Sequence, residues 1–113
     1  MKFTPFFAPV ALACALSSIS GTALADPAKG RELYIKNGCW QCHGFVGQGG
    51  ITGPKLAPEP KPFDFINVFI RHTNGPMPKY SEKILSKDDL AEIHSYLVSI
   101  PKSPNYKDIG LLK

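Results

Sequence analysis

The sequence predicts a small all-α domain, built from three or four short helices and one long structured loop. The first reason is an apolar stripe at intervals of three and four, formed by Leu90, Ile93, Leu97 and Ile100, which is typical of a helix with one buried face. The second reason is that no segment resembles a strong β-strand. The third is a glycine- and proline-rich stretch between residues 44 and 62, which indicates a loop.

The first 25 residues are expected to be an export signal that is removed from the mature protein. Lys2 provides a positive start, an apolar run follows from Phe6 to Leu16, and Ala23-Leu24-Ala25 fits the small-x-small cleavage pattern. The apolar run is shorter than the ~20 residues that a membrane-spanning helix needs. Cys14 lies in a context that fits a lipoprotein signal poorly. We therefore expect cleavage after Ala25, a periplasmic location and no stable membrane insertion.

Cleavage after residue 25 of the 113 leaves 88 residues, which we expect to form a domain over 26–101 and a tail over 102–113. A domain of this size has a small hydrophobic core and often needs a disulfide, a metal or a cofactor for stability. With two cysteines in the mature part, at most one disulfide is available. Without Lys2, the mature part has 12 basic and 9 acidic residues, which give a net charge of +3 and are spread along the chain. This distribution argues against nucleic-acid binding.

Local signals place the elements before the loop. Asp26 is a favourable cap and Pro27 a favourable first residue for a helix that ends at Asn37-Gly38. A short helical turn is then expected from Cys39 to His43, and the glycine- and proline-rich loop follows it.

Two further helices are expected after the loop. The segment from Asp64 to Asn74 predicts one, in which Phe65, Val68, Phe69 and His72 share a face. Ser86 begins the clearest helix, with a capping-box pattern, and Pro101 ends it.

The residues Cys39-Trp40-Gln41-Cys42-His43 form a Cys-x-x-Cys-His motif. Residues three apart on a helical turn share a face, so both thiols can add to the vinyl groups on one edge of a haem, and His43 can then bind the iron. A thioredoxin-like pair would need a βαβ unit that the sequence lacks, and a structural zinc site needs four ligands. A plain disulfide is the remaining alternative. Export, the adjacent histidine and the small hydrophobic core favour haem attachment.

Met77 is the candidate for the sixth iron ligand, since it is the one methionine of the mature chain and lies 34 residues after His43. Pro76 and Pro78 flank it and stiffen the backbone. A core methionine that fills a gap is the alternative role for this residue. His72 and His94 are the rival ligands, although a histidine at the position of His94 is expected to be exposed.

With these motifs in order, the mature chain resembles the small class I cytochromes c of bacterial periplasms over about residues 28–101. The resemblance implies the cytochrome c fold, three to four short helices around one haem c that Cys39 and Cys42 hold covalently through two thioethers. It implies His43 as proximal and Met77 as distal ligand. In Gly53-Pro54-Lys55-Leu56, it implies that the Pro54 carbonyl accepts the other ring proton of His43.

The resemblance extends to both terminal helices of the domain. Gly30 and Tyr34 match the family's first helix, and Tyr96 and Leu97 match its last helix. In the family these two helices cross closely at the glycine. Apolar residues that we expect around the haem are Phe63, Phe65, Phe69, Leu56 and Leu97.

These features predict a periplasmic single-electron carrier and not an enzyme. Its partners would be redox proteins, a dehydrogenase as donor and an oxidase or another cytochrome as acceptor. An electron-accepting subunit of a periplasmic dehydrogenase would share the same chemistry, and the apolar tail from Ile109 to Leu112 is compatible with either. A haem-based sensor or peroxidase needs an open sixth site, which Met77 argues against. A colourless disulfide module is the other alternative.

Overall fold

A computed structural model describes residues 1–2 and 24–112 of the chain. The apolar run predicted for the export signal lies outside these residues. Four α-helices follow, α1 Pro27–Lys36, α2 Trp40–His43, α3 Phe63–His72 and α4 Lys87–Ser99, and then two 3₁₀ turns, Tyr106–Asp108 and Gly110–Leu112. The described residues contain no strand, and the all-α prediction is confirmed. Among these residues, no helix has the length and apolar character to cross a membrane.

The ends of α1 are set by local hydrogen bonds, as the sequence predicts. The Asp26 side chain accepts a hydrogen bond from the backbone N–H of Ala28 at 2.9 Å, with Pro27 at the first helical position. At the other end, Gly38 adopts a φ of 75° and donates its N–H to the Ile35 carbonyl. This left-handed residue ends α1 and directs the chain into α2.

The core of the domain is the crossing of α1 over α4 at Gly30. A Cβ atom at Gly30 would lie 2.0 Å from the backbone oxygen of Glu92 and 2.9 Å from the Cβ of Tyr96. Tyr34, one turn after Gly30, is fully buried and packs on Tyr96 with ring centroids 5.6 Å apart. Because glycine has no side chain, the two helix backbones approach closely enough for these aromatic rings to meet.

The apolar stripe of α4 packs against this crossing. Ser86 caps the helix, since its hydroxyl accepts a hydrogen bond from the Asp89 N–H at 3.0 Å. Leu90, Ile93 and Leu97 are buried, as their spacing predicts. Ile100 is only half-buried, because α4 ends at Ser99 and the residue no longer follows the helical stripe.

The helix α3 begins one residue earlier than predicted and ends two residues earlier, at His72. Phe65, Val68 and Phe69 share a face as expected, but this face is exposed. Ile70, on another face, packs in the core and is 5% exposed. Apolar residues occupy more than one face of α3, so the spacing identifies residues that share a face without identifying the face that packs.

Candidate haem-binding site

The attachment turn follows directly from the end of α1. The N–H of Cys39 donates to the Tyr34 carbonyl at 3.2 Å, and the His43 N–H donates to the Cys39 carbonyl at 3.1 Å. These bonds connect the motif to the buried α1–α4 crossing at one end and close a helical turn at the other. Cys39 and Cys42 are both free thiols, and neither forms a disulfide in the structure.

The two thiols have different surroundings. Cys42 is exposed, whereas Cys39 is half-buried and packs against the hydrophobic core. Burial raises the pKa of Cys39 to about 11. A neutral sulfur is therefore favoured at this position, which suits a thioether, since that group carries no charge at any pH.

His43 is buried and hydrogen-bonded in one orientation. Its Nδ1 lies 2.8 Å from the carbonyl oxygen of Pro54, and 7% of the residue is exposed. Because a carbonyl can only accept, the Nδ1–H donates this bond and Nε2 remains available as a ligand. The contact is the one that the resemblance implied, and its role toward iron stays a prediction.

The loop after His43 is folded back onto the attachment turn by its own backbone. The Gly49 N–H donates to the His43 carbonyl at 2.8 Å, and the N–H groups of Leu56 and Ala57 donate to the Gly47 carbonyl at 2.8 and 2.9 Å. Gly47 and Gly49 adopt φ values of 67° and 88°, which few other residues tolerate. These bonds hold the intervening Pro54 against His43.

Met77 lies in the segment that joins α3 to α4. It is half-buried and packs against the buried core cluster, while the flanking Pro76 and Pro78 are exposed. The methionine side chain is therefore directed inward from a segment that otherwise lies on the surface. This placement is compatible with both roles weighed for Met77, and ligation of iron stays a prediction.

The two other histidines of the chain have partners elsewhere. One ring nitrogen of His72 lies 2.9 Å from the Val68 carbonyl in its own helix, and the residue is exposed. His94 is half-buried, where we expected exposure, because its Nε2 lies 3.0 Å from the Lys61 carbonyl and its ring packs edge-on against Phe63. Neither contact brings these rings to the attachment turn.

Two aromatic contacts near the motif were not predicted from the sequence. Trp40 stacks on Phe45 with ring centroids 4.6 Å apart, which covers one side of the attachment turn. The Tyr80 hydroxyl donates to the Asn37 carbonyl at 2.8 Å, across 43 residues of chain. The position of Tyr80, three residues after Met77, was the available sequence signal for the second contact. The sequence could not identify the acceptor, because every residue has a backbone carbonyl.

The donor set fits haem better than a metal ion held by the protein alone. Within residues 1–2 and 24–112, no group of three or more His, Cys, Asp or Glu side chains is arranged to hold a metal ion. Two thiols on one turn and an oriented imidazole are the groups that attach a haem and bind its iron on one side, and an inward thioether is a group that can bind the other side. A Cβ at Gly53 would lie 2.9 Å from the His43 Nδ1, so the backbone around this imidazole leaves no room for a side chain there.

Comparison with known proteins identifies the family. The family described as Cytochrome C oxidase, cbb3-type, subunit III matches residues 25–97. The chain belongs to this family of c-type cytochrome domains, whose cofactor is haem c. As a domain of this family, it takes part in electron transfer.

Curated relatives support the same class. The chain is 36% identical over 84 residues to the cytochrome bc1 complex cytochrome c subunit of Corynebacterium diphtheriae, a match that covers 72% of this chain and 30% of that protein. The corresponding subunit of Corynebacterium efficiens is 32% identical over 83 residues, 71% of this chain and 28% of that protein. The chain thus spans less than a third of the length of these relatives. No solved structure matches significantly.

The close contact around Gly53 gives a first testable prediction. A Cβ at Gly53 would lie 2.7 Å from the Cys42 carbonyl oxygen as well as 2.9 Å from the His43 Nδ1. We expect Gly53→Ala to lower the free energy of unfolding of the haem-loaded protein by ~2 kcal/mol, within the range for overpacking, as measured by denaturant titration. It should also shift the proton NMR signals of the His43 ring.

The matched control for that variant is Gly50→Ala in the same loop. A Cβ at Gly50 would approach the same Cys42 oxygen only to 3.3 Å, so a small adjustment relieves the contact. We expect a change within ~0.5 kcal/mol, as for most substitutions away from special backbone sites. Equal losses in the two variants would show that the His43–Pro54 geometry does not depend on the space at Gly53.

Proposed function

We propose that this chain is a periplasmic carrier of single electrons, with one haem c attached covalently to Cys39 and Cys42 and bound axially by His43 and Met77. The observation that carries the proposal is the buried His43 ring within the Cys-x-x-Cys-His turn, with its Nδ1 hydrogen-bonded to the Pro54 carbonyl. A ligand histidine needs this arrangement, because the second hydrogen bond fixes the tautomer and the direction of the coordinating nitrogen.

Haem, when bound, supplies an iron that accepts and releases one electron. His43 and Met77 would occupy both axial positions in either oxidation state, so no ligand has to enter or leave during transfer. A Met77 thioether on the iron would favour the reduced state, since histidine with methionine raises the reduction potential relative to other ligand pairs. With these two ligands, the iron would change its charge with little rearrangement, as an electron carrier requires.

The surroundings of the site support a relatively high potential. Leu97 is buried and Leu56 and Phe63 pack against the core, and an apolar environment disfavours the extra positive charge of the oxidised form. Phe65 and Phe69, which were predicted for the same pocket, are 56% and 47% exposed and stack with ring centroids 6.0 Å apart. Their place beside the haem stays a prediction.

The alternative within the same chemistry is a cytochrome subunit that stays bound to a respiratory complex. The relatives named cytochrome bc1 complex cytochrome c subunit favour this possibility. The tail bears exposed apolar groups, with Leu111 at 96% exposure. Lys102 pairs with Glu59 at 2.5 Å, but both side chains are largely exposed, and such pairs contribute little to stability.

The experiment that tests the proposal is expression of the full chain in a bacterium that attaches haem c. Recovery from the periplasm of a polypeptide that begins at Asp26, with a mass increase of one haem that survives acidic acetone extraction, is the expected result. Variants in which Cys39 or Cys42 is replaced by Ala should retain at most one thioether. A colourless periplasmic protein with a Cys39–Cys42 disulfide would overturn the haem assignment.

Deletion of residues 102–113 distinguishes the carrier from the bound subunit. We expect the shortened holoprotein to unfold at the same denaturant concentration as the full chain, because the exposed Lys102–Glu59 pair contributes little to stability. Equal electron transfer by both forms to membranes that contain a respiratory cytochrome complex would favour a diffusible carrier. A tenfold or greater loss of membrane binding by the shortened form would favour the subunit.

A further inference from the structure

Met77 lies in a stretch that is fixed at its two ends. At the start, the Thr73 N–H donates to the Phe69 carbonyl at 2.9 Å and ends α3. At the far end, Tyr80 uses both of its backbone groups: its N–H donates to the Ile70 carbonyl at 3.0 Å, and its carbonyl accepts from Arg71 Nη1 at 2.6 Å. The residues between them, other than Met77, are exposed.

Tyr80 is also bonded to the other side of the site. Its hydroxyl donates to the Asn37 carbonyl at 2.8 Å, and Asn37 is the cap of α1, two residues before Cys39. The half-buried phenol has a pKa that burial raises, with the neighbouring thiols of Cys39 and Cys42 adding to the shift. The side chain therefore extends from the Met77 segment to the attachment turn.

We propose that Tyr80 is a positioning residue that holds Met77 on the iron. It would do so by fastening the distal segment, residues 73–80, to α3 through its backbone and to the attachment turn through its hydroxyl. The proposal rests on the His43–Met77 ligation proposed above. Because the residues on either side of Met77 are exposed, this segment would otherwise move away from the site and expose the sixth position. The Tyr80–Asn37 bond opposes this movement, since it must break before the segment can open.

The residue that supports Tyr80 is Arg71. Its guanidinium contacts the Tyr80 carbonyl and, at 3.4 Å, the Asn67 side chain of the preceding turn of α3. Its Nε is buried without a hydrogen-bond partner in the described part of the chain. The guanidinium thus attaches the end of the distal segment to α3. A shorter side chain cannot reach both the Tyr80 carbonyl and the Asn67 side chain.

The test uses haem-loaded protein in the oxidised state and added imidazole, which competes with Met77 for the iron. Loss of the sulfur-to-iron absorption band in the wild-type protein gives its apparent imidazole affinity. Tyr80→Phe removes one hydroxyl and keeps the ring. We expect it to raise the imidazole affinity about fivefold, the factor that corresponds to the loss of one hydrogen bond of ~1 kcal/mol.

Tyr96→Phe is the matched control, because it removes an equivalent tyrosine–carbonyl bond, the 3.0 Å bond from the Tyr96 hydroxyl to Phe45. Both variants should lose similar stability in denaturant, but Tyr96→Phe should leave the imidazole affinity within twofold of wild type. An unchanged affinity in Tyr80→Phe, or equal increases in the two variants, would overturn the proposal.

If Tyr80→Phe yields no holoprotein, Arg71→Lys tests the same contact. This variant withdraws the guanidinium from the Tyr80 carbonyl and should raise the imidazole affinity severalfold. An unchanged imidazole affinity would count against the inference. If the wild-type protein lacks the sulfur-to-iron band from the outset, the proposed ligation itself is wrong. The spectrum therefore distinguishes a failure of the proposed ligation from a failure of the role assigned to Tyr80.

Discussion

Replacement of Met77 by alanine is expected to remove the sulfur-to-iron band of the oxidised protein and to lower its reduction potential by on the order of 100 mV, part of the ~0.8 V range that axial ligands control. The physical reason is that water or a weaker ligand would replace a thioether that favours the reduced state. Visible spectra of both oxidation states and a potentiometric titration would measure the two effects.

Met77→His separates the loss of sulfur from the loss of a sixth ligand. This variant should keep a sharp low-spin reduced spectrum and resist carbon monoxide, while its potential falls as in Met77→Ala. The alanine variant, in contrast, should bind carbon monoxide rapidly. If Met77→Ala retains the spectrum and potential of the wild type, Met77 is a core residue, and His72 becomes the candidate ligand.

The second large effect is expected at the helix crossing. Gly30→Ala would place a methyl group 2.0 Å from the Glu92 carbonyl oxygen, a backbone atom that cannot move without α4. Overpacking of this kind costs ~1–3 kcal/mol and occasionally more, whereas alanine improves helix propensity by up to ~1 kcal/mol. We expect a net loss of ~2 kcal/mol, which lowers the Tm by ~8–16 °C in a domain of this size.

The control for Gly30→Ala is Gly110→Ala, since a Cβ at Gly110 meets no atom of the described residues within 4 Å. Its Tm should stay within ~2 °C of wild type, as for most surface substitutions. Thermal unfolding of the holoproteins, followed by circular dichroism, measures both. A Gly30→Ala protein as stable as the control would mean that α1 and α4 do not approach each other as closely as described.

The features that the sequence predicted well are those set by neighbours along the chain. The cap at Asp26, the left-handed Gly38 and the cap at Ser86 each depend on residues within a few positions. The spacing of Cys39 and Cys42 likewise places both thiols on one helical turn. Local hydrogen bonds and helical periodicity carry this information, so it can be identified without knowledge of the fold.

The orientation of α3 could not be predicted from helical spacing. Spacing correctly grouped Phe65, Val68 and Phe69, yet the structure buries Ile70 from another face of the same helix. A helix that is apolar on two faces can pack through either one, and only the shape of the rest of the core decides between them.

By itself, the sequence determined the helix boundaries to within two residues, the attachment turn and the class of cofactor chemistry. Only the tertiary structure decided which distant backbone groups meet the site, such as the Asn37 carbonyl that accepts from Tyr80 and the Glu92 carbonyl that faces Gly30. The physical reason is that every residue carries the same backbone acceptor. The packing of the helices therefore decides which backbone carbonyl becomes a partner, and the side chain at that position does not indicate it.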